Sequence, residues 1–367
     1  MDRSTLPAGR ARSRNPRRAH GGLSLLAAAL LLSASLPAAA QETAPPRVRL
    51  VATGGTISNA AGGRLTAAEL IDLIPDLTRY ATPEFEQFAN VASSSITLQQ
   101  WLELARRINE LYAADPELGG VVVTSGTDTL EETAYFLHLT VRDPRPVVVV
   151  GAMRNPSTLG YEGAANLLQA FRVAADPAAR DKGAMVVLND EINSAREVTK
   201  TNSVRLQTFE TRGYGVLGVV DRDRVVFYRD PLKRHTSASE FDVFAIDELP
   251  RVDILMVYQG ASGDLIDAAV ANGARGIVIA VAGAGATSGT QSAGIRAALD
   301  AGVFVANATR TGSGRIAARG DGGRDGQSAG FRIAAEDLSP IKARILLMLA
   351  LATTDDGDNI QRMFTEY

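Results

Sequence analysis

The apolar positions of this chain fall into short runs that stop abruptly at glycine and hydroxyl residues. Residues 48–52 are mostly apolar and of strand length, and they run into Thr53-Gly54-Gly55-Thr56. Residues 120–123 repeat the design and end in Thr124-Ser125-Gly126-Thr127-Asp128-Thr129. Residues 146–150 stop at Gly151-Ala152-Met153-Arg154, and 184–188 stop at Asn189-Asp190-Glu191. Residues 85–92 are mixed and predict a further strand ahead of Ser93-Ser94-Ser95. Between these runs the period lengthens. Leu98, Trp101, Leu102, Ala105, Ile108 and Leu111 recur at helical spacing. Thr66 and Glu69 fit a capping box, so a helix starts there and stops at Pro75. Another helix is expected over 163–174. Strand, loop and helix in repetition predict an α/β fold, with a largely parallel sheet covered by helices on both faces.

The second half repeats the pattern on a smaller scale. Residues 193–205 are polar, 216–228 alternate with charges as an exposed hairpin would, and 230–250 are irregular enough to serve as a linker. Strands are then expected over 252–258, 276–282 and 303–306, with helices over 265–272 and 291–299. Residues 312–330 are rich in glycine and charge. Ser339 at the N-cap and Pro340 at the first helical position open a last long helix, to about residue 352. The expected division is a leader over 1–40, a larger N-terminal α/β domain over 41–229, a linker over 230–250 and a smaller C-terminal α/β domain over 251–367.

Composition changes the picture mainly at the N-terminus. Six arginines precede an apolar run over 23–36, and Ala38-Ala39-Ala40 offers a cleavage site before Gln41. This is the three-part pattern of a secretory signal peptide, and the apolar run is short for a membrane span. An uncleaved anchor is the alternative. The expected location is periplasmic or secreted, with no membrane attachment after cleavage. The whole chain carries −3, and the leader, with six arginines and one aspartate, carries +5. The remainder is therefore at −8, which gives no electrostatic case for nucleic acid. The absence of cysteine excludes disulfides, thiolate metal sites and cysteine nucleophiles. Past the leader only His138 and His235 remain, a poor supply for a transition metal. No metal or cofactor is expected.

The strand ends carry the chemistry. In open α/β sheets ligands bind beyond the carboxyl ends of the strands. Gly54 and Gly55 allow close backbone approach there, with Thr53 and Thr56 on either side. If the strands over 48–52 and 120–123 are neighbours, the hydroxyls of the two turns converge. Lys200 lies in a polar stretch without apolar periodicity, and a lysine beside a carboxylate and a threonine can activate a hydroxyl. Backbone N–H groups of the glycine turns can hold an oxyanion. The suggested reaction is acyl transfer by threonine attack on an amide or ester. Blander readings stand beside it: a plain glycine turn at 53–56, an N-cap at 127–129, a surface lysine at 200 and a packing role for His138. The Gly283-Ala284-Gly285 loop lacks the lysine of a P-loop, and Ser93–Ser95 has neither a nearby histidine nor a G-x-S-x-G elbow.

TGGTIS at 53–58, TSGTDTLEETAYFL at 124–137, VVVVGAMRNPS at 147–157 and REVTKTN at 196–202 together resemble the bacterial L-asparaginase family in order and spacing. The resemblance runs from about residue 47 to 367, and the leader makes the chain similar to the exported, type II branch. It implies hydrolysis of L-asparagine to L-aspartate and ammonia without a cofactor. It implies Thr56 as nucleophile and Thr127 as a second essential threonine, with Asp128 and Lys200 as partners. Asp128 and Ser93 would hold the substrate's α-amino and α-carboxylate groups. Ser94 stands where the family often has glutamine. Gly55, Gly126 and Ala152 would line the substrate through their backbone. A homotetramer or homodimer with shared sites is also implied. Two positions depart from the family. Residues 58–78 lack the lid tyrosine, leaving Arg64 as the long polar side chain nearest its place. The stretch after Arg310-Thr311-Gly312 lacks the glutamate lent to a neighbouring subunit, and Asp321 and Asp325 are the carboxylates there. An amidase for another amide such as L-glutamine, or a periplasmic amino-acid-binding protein with little turnover, are the alternatives.

Overall fold

Alternation along buried strands decides this architecture. The computed structural model describes residues 44–318 and 332–367. In chain order, β1 (Arg47–Gly54) is followed by a two-residue hairpin, β2 (Asn59–Ala60) with β3 (Gly63–Arg64). Next come β4 (Thr82–Val91), β5 (Leu118–Thr124), β6 (Val147–Val150), β7 (Ala184–Leu188) and β8 (Glu191–Ser194). The short strands β9 (Val198–Lys200), β10 (Phe209–Thr211), β11 (Gly218–Val220) and β12 (Val225–Phe227) complete this half. Helices α1 (Ala67–Asp72), α2 (Leu98–Ala114), α3 (Leu130–Thr140) and α4 (Gly163–Ala175) intervene. An eight-stranded sheet has the order β12-β11-β8-β7-β6-β5-β1-β4, and β9 pairs with β10 beside it. From β4 to β7 the neighbours are parallel; from β7 to β12 they are antiparallel.

Successive side chains leave opposite faces of the sheet. Val51, Val121, Val123, Val147, Val149 and Val186 meet α2 and α3. Their neighbours Leu50, Ala52, Val122, Val148, Val150 and Val187 meet α4 and α1. Leu50 and Val51 are fully buried on the two faces, and each contributes about 1.5–3 kcal/mol by its burial. Both faces are covered, so these strands read as unbroken apolar runs.

The second sheet is parallel throughout, with β13 (Val252–Met256), β14 (Gly276–Val281), β15 (Phe304–Thr309) and β16 (Arg332–Ala334) in sequential order. Helices α5 (Asp264–Ala271) and α6 (Gln291–Asp300) cover one face through Ile277, Ile279, Val281 and Val305. The other face packs on α7 (Pro340–Thr353), and α8 (Gly357–Glu366) follows. Helix α7 is buried nearly all round, and its residues join those of α3 in one continuous core.

The capping signals hold. Thr66 and Glu69 form both bonds of the capping box, Thr97 and Gln100 do the same for α2, and the Ser339 hydroxyl accepts from Lys342 N–H with Pro340 at the first position. Each such cap is worth roughly 1 kcal/mol. Two stretches carry more structure than their sequence shows. Residues 193–205 are more than a polar connection, since they contain the end of β8 and all of β9. Residues 230–250 hold no strand or α-helix, yet Phe241, Val243 and Ile246 are buried in the core. The expected leader, and Asp321 and Asp325, lie outside the described residues.

Candidate active site

The order of the parallel strands places a switch point at β1. The chain goes from β1 to β4 on one side, then crosses to β5 on the other and continues outward. Crevices at such a point are where α/β sheets take ligands. The two hydroxyl-rich turns leave the carboxyl ends of the two strands that flank it. They are tied together before they turn: Thr53 Oγ1 donates to the Thr124 carbonyl at 2.6 Å, and Thr124 Oγ1 accepts from Thr53 N–H at 3.2 Å.

Glycine is obligatory at the crossing. Gly55 has φ 92° and ψ −174°, a region essentially reserved for glycine. A methyl group there would stand 2.3 Å from the Gly126 nitrogen, and one on Gly126 would stand 2.8 Å from Ser93 Oγ. Gly55, Gly126 and Ser93 are thus in contact. Ser93 is buried, whereas Ser94 is exposed. A methyl group on Gly151 would stand 3.2 Å from Thr127 Cγ2, which puts the turn carrying Ala152 against Thr127.

Lys200 closes the cluster from the side. Its Nζ donates to Thr127 Oγ1 at 3.0 Å and to Asp128 Oδ1 at 2.7 Å. The lysine side chain is 13% exposed and that of Asp128 is 78% exposed, so the cation is enclosed while its carboxylate faces the opening. The strand bearing Lys200 is anchored on both edges. Glu131 Oε1 accepts from Lys200 N–H at 3.0 Å and from Thr199 Oγ1 at 3.1 Å. Lys342 donates to the carbonyls of Arg196 and Val198, and burial lowers its ammonium to about 8. Arg196 in turn holds both oxygens of Asp337, at 2.8 and 2.7 Å. Burial pushes the Asp337 carboxyl up, but the Arg196 hydrogen bonds and charge outweigh it and hold that group well below the usual carboxylate range.

Thr56 follows Gly55 and is half-buried. No hydrogen bond involves its hydroxyl among the described residues, whereas the backbone around it is held closely. Arg64 Nη1 donates to the Gly55 carbonyl at 2.8 Å, and the Tyr161 hydroxyl donates to the Ile57 carbonyl at 2.9 Å.

The residues singled out from the sequence therefore gather in two groups that share the Ser125–Thr127 turn. Thr127, Asp128 and Lys200 are bonded directly, and Gly55, which precedes Thr56, touches Gly126, which touches Ser93. Ser94 makes no bond to either group. Lys200 is not a free surface lysine, and Thr129, not Thr127, holds the N-cap position of α3, without a side-chain cap bond. His138 packs: it is buried, with Nδ1 3.4 Å from the Ala184 carbonyl, and burial lowers its pKa. Glu131, in the first turn of α3, was not singled out from the sequence. Tyr161 gave no signal, because its partner is a backbone carbonyl over a hundred residues away.

A hydroxyl-and-lysine cluster under glycine turns, at the switch point of a parallel sheet, is the arrangement of an α/β enzyme. Comparison gives the family. Residues 47–233 match the model for the asparaginase N-terminal domain, and 251–364 match that for the glutaminase/asparaginase C-terminal domain. The chain is 42% identical over 343 residues to L-asparaginase 2 of Bacillus subtilis, covering 91% of this chain and 90% of that protein. It is 37% identical over 355 residues to a glutaminase-asparaginase of Pseudomonas fluorescens, covering 93% and 97%. The crystal structure of a probable cytoplasmic L-asparaginase from Campylobacter jejuni superposes with a TM-score of 0.80 at 39% identity, over 88% of this chain and all of that one. The chain belongs to the asparaginase family.

Proposed function

We propose that this protein hydrolyses L-asparagine to L-aspartate and ammonia. The observation that carries the reading is the lysine Nζ shared between Thr127 and Asp128, beside a Thr56 whose hydroxyl has no hydrogen bond among the described residues. Thr56 Oγ1 attacks the side-chain amide carbon, and the backbone N–H groups of the glycine turns face the oxyanion. Thr127 and Lys200 pass the proton to the departing nitrogen, which leaves as ammonia. Water then hydrolyses the ester left on Thr56, freeing aspartate and restoring the hydroxyl. Asp128, being exposed toward the opening, suits an α-ammonium group. Ser93 Oγ, against Gly126, suits the α-carboxylate. Ser94 contributes at the rim and Ala152 through its backbone.

Glutamine is the second reading, favoured by the relative named glutaminase-asparaginase. One methylene is worth only about 1–3 kcal/mol in a pocket, so both amides are candidates. The leader pattern supports export, to the periplasm or beyond. A homodimer or homotetramer that completes the site across an interface accords with the family.

The test is ammonia release from asparagine and from glutamine by wild type, Thr56→Ala, Thr127→Ala and Lys200→Met. Losses of roughly 10²–10⁴-fold are expected in the variants. Wild-type turnover in all three overturns the assignment. Calorimetry that finds tight amide binding with no ammonia from the wild type favours a binding protein instead.

A further inference from the structure

We infer that Tyr161, from the connection between β6 and α4 and not from the lid, is a positioning residue for Thr56, acting with Arg64 as a two-donor clamp on the backbone. The inference rests on Thr56 as the nucleophile. With no hydrogen bond to its hydroxyl among the described residues, Thr56 is aimed by its backbone: its own carbonyl accepts from Asn59 N–H, and side chains hold the two flanking carbonyls. Arg64 Nη1 reaches the Gly55 carbonyl at 2.8 Å, aided by Ser58 Oγ at 3.1 Å. The Tyr161 hydroxyl reaches the Ile57 carbonyl at 2.9 Å.

The same connection holds the hairpin that follows. Ser157 Oγ accepts from Ala61 N–H at 2.7 Å, and Leu65 N–H closes the hairpin base on the Ser58 carbonyl at 2.7 Å. The phenol is itself seated. At Gly163, which opens α4, a methyl group would lie 2.3 Å from Tyr161 Cε2 and from its hydroxyl oxygen. Only glycine leaves the ring its place. Burial pushes this half-buried phenol well above its ordinary value, so it remains a neutral donor throughout the working range. The segment 58–78, which has no tyrosine of its own, is therefore served by a tyrosine that grips the backbone and does not touch the reacting hydroxyl.

The test compares kcat, KM, thermal midpoint and the pH profile of kcat for Tyr161→Phe, Gly163→Ala, Arg64→Met, Arg64→Lys and Thr56→Ala. Tyr161→Phe removes one oxygen. Gly163→Ala keeps the phenol but takes its seat, while helix propensity favours alanine in α4. Both are expected to lower kcat about 5- to 10-fold with KM within about twofold. The pH profile keeps its shape, because the donor does not titrate, and kcat is taken per folded molecule so that any change in the Gly163→Ala midpoint is separated from it. Arg64→Met behaves similarly, and Arg64→Lys, which retains a donor, recovers part of the loss. Thr56→Ala at wild-type activity breaks the nucleophile assignment itself. An inactive Thr56→Ala beside Tyr161→Phe and Gly163→Ala at wild-type kcat overturns the clamp alone. So does a rise in KM at constant kcat, which would make Tyr161 a substrate contact.

Discussion

Replacing Gly55 by alanine should damage stability and turnover together, and both magnitudes follow from the crossing of the two turns. An L-residue at φ 92° and ψ −174° costs about 1–3 kcal/mol in backbone strain. The added methyl would stand 2.3 Å from the nitrogen and 2.5 Å from the Cα of Gly126. Both are backbone atoms, so no rotamer change relieves the contact. Carbon contacts settle near 3.5–4.0 Å, so the turns must part by about 1 Å. Overpacking of that kind costs a further 1–3 kcal/mol or so. The sum, about 2–6 kcal/mol, is a large part of the roughly 5–15 kcal/mol by which a domain is stable. The same separation moves Thr56 away from Thr127, and a displacement of about 1 Å can cost on the order of 10²-fold in rate. Urea unfolding followed by circular dichroism gives the first quantity. Ammonia release per folded molecule gives the second. A Gly55→Ala protein with the wild-type midpoint refutes the steric argument. One that is destabilised but turns over normally when folded refutes the link between the crossing and the chemistry.

Two further predictions concern the buried charges behind Lys200. Asp337 is depressed in the folded state by Arg196, so its contribution to stability is complete above the unfolded carboxylate value near 4 and is lost as pH falls below it. Asp337→Asn should cost about 3 kcal/mol at neutral pH by leaving Arg196 unpaired, and should flatten the acid side of a plot of urea midpoint against pH; parallel plots for the two proteins would count against it. Lys342 shifts the other way, from 10.5 to about 8. Between those values the unfolded chain holds a proton that the folded chain has released, so stability gains from rising pH in that window. The difference in melting temperature between wild type and Lys342→Met should therefore change from pH 8 to pH 10 in favour of wild type, and a constant difference would refute the lowered pKa of Lys342 in the fold.

Local signals carried much of the architecture. The strands at 48–52, 120–123 and 146–150 were legible because sheets covered on both faces need continuous apolar runs. Helix starts were legible because a cap is a contact between residues three apart. Lys200 and Glu131 were harder. Lys200 lies on the short, polar β9, and Glu131 of α3, Lys342 and β10 satisfy the backbone of that strand from distant parts of the chain. Nor does the irregular stretch 230–250 show in sequence that Phe241 is fully buried against Tyr367.

The sequence by itself determined the elements, the glycine turns and the residue types at the strand ends, because each depends on neighbours within a few positions. The tertiary structure alone decided that Lys200 meets Thr127 and Asp128, that Gly55 rests on Gly126, and that Tyr161 grips the backbone beside Thr56. Those contacts join segments tens to a hundred residues apart, and no local pattern records which carbonyl a distant phenol will find.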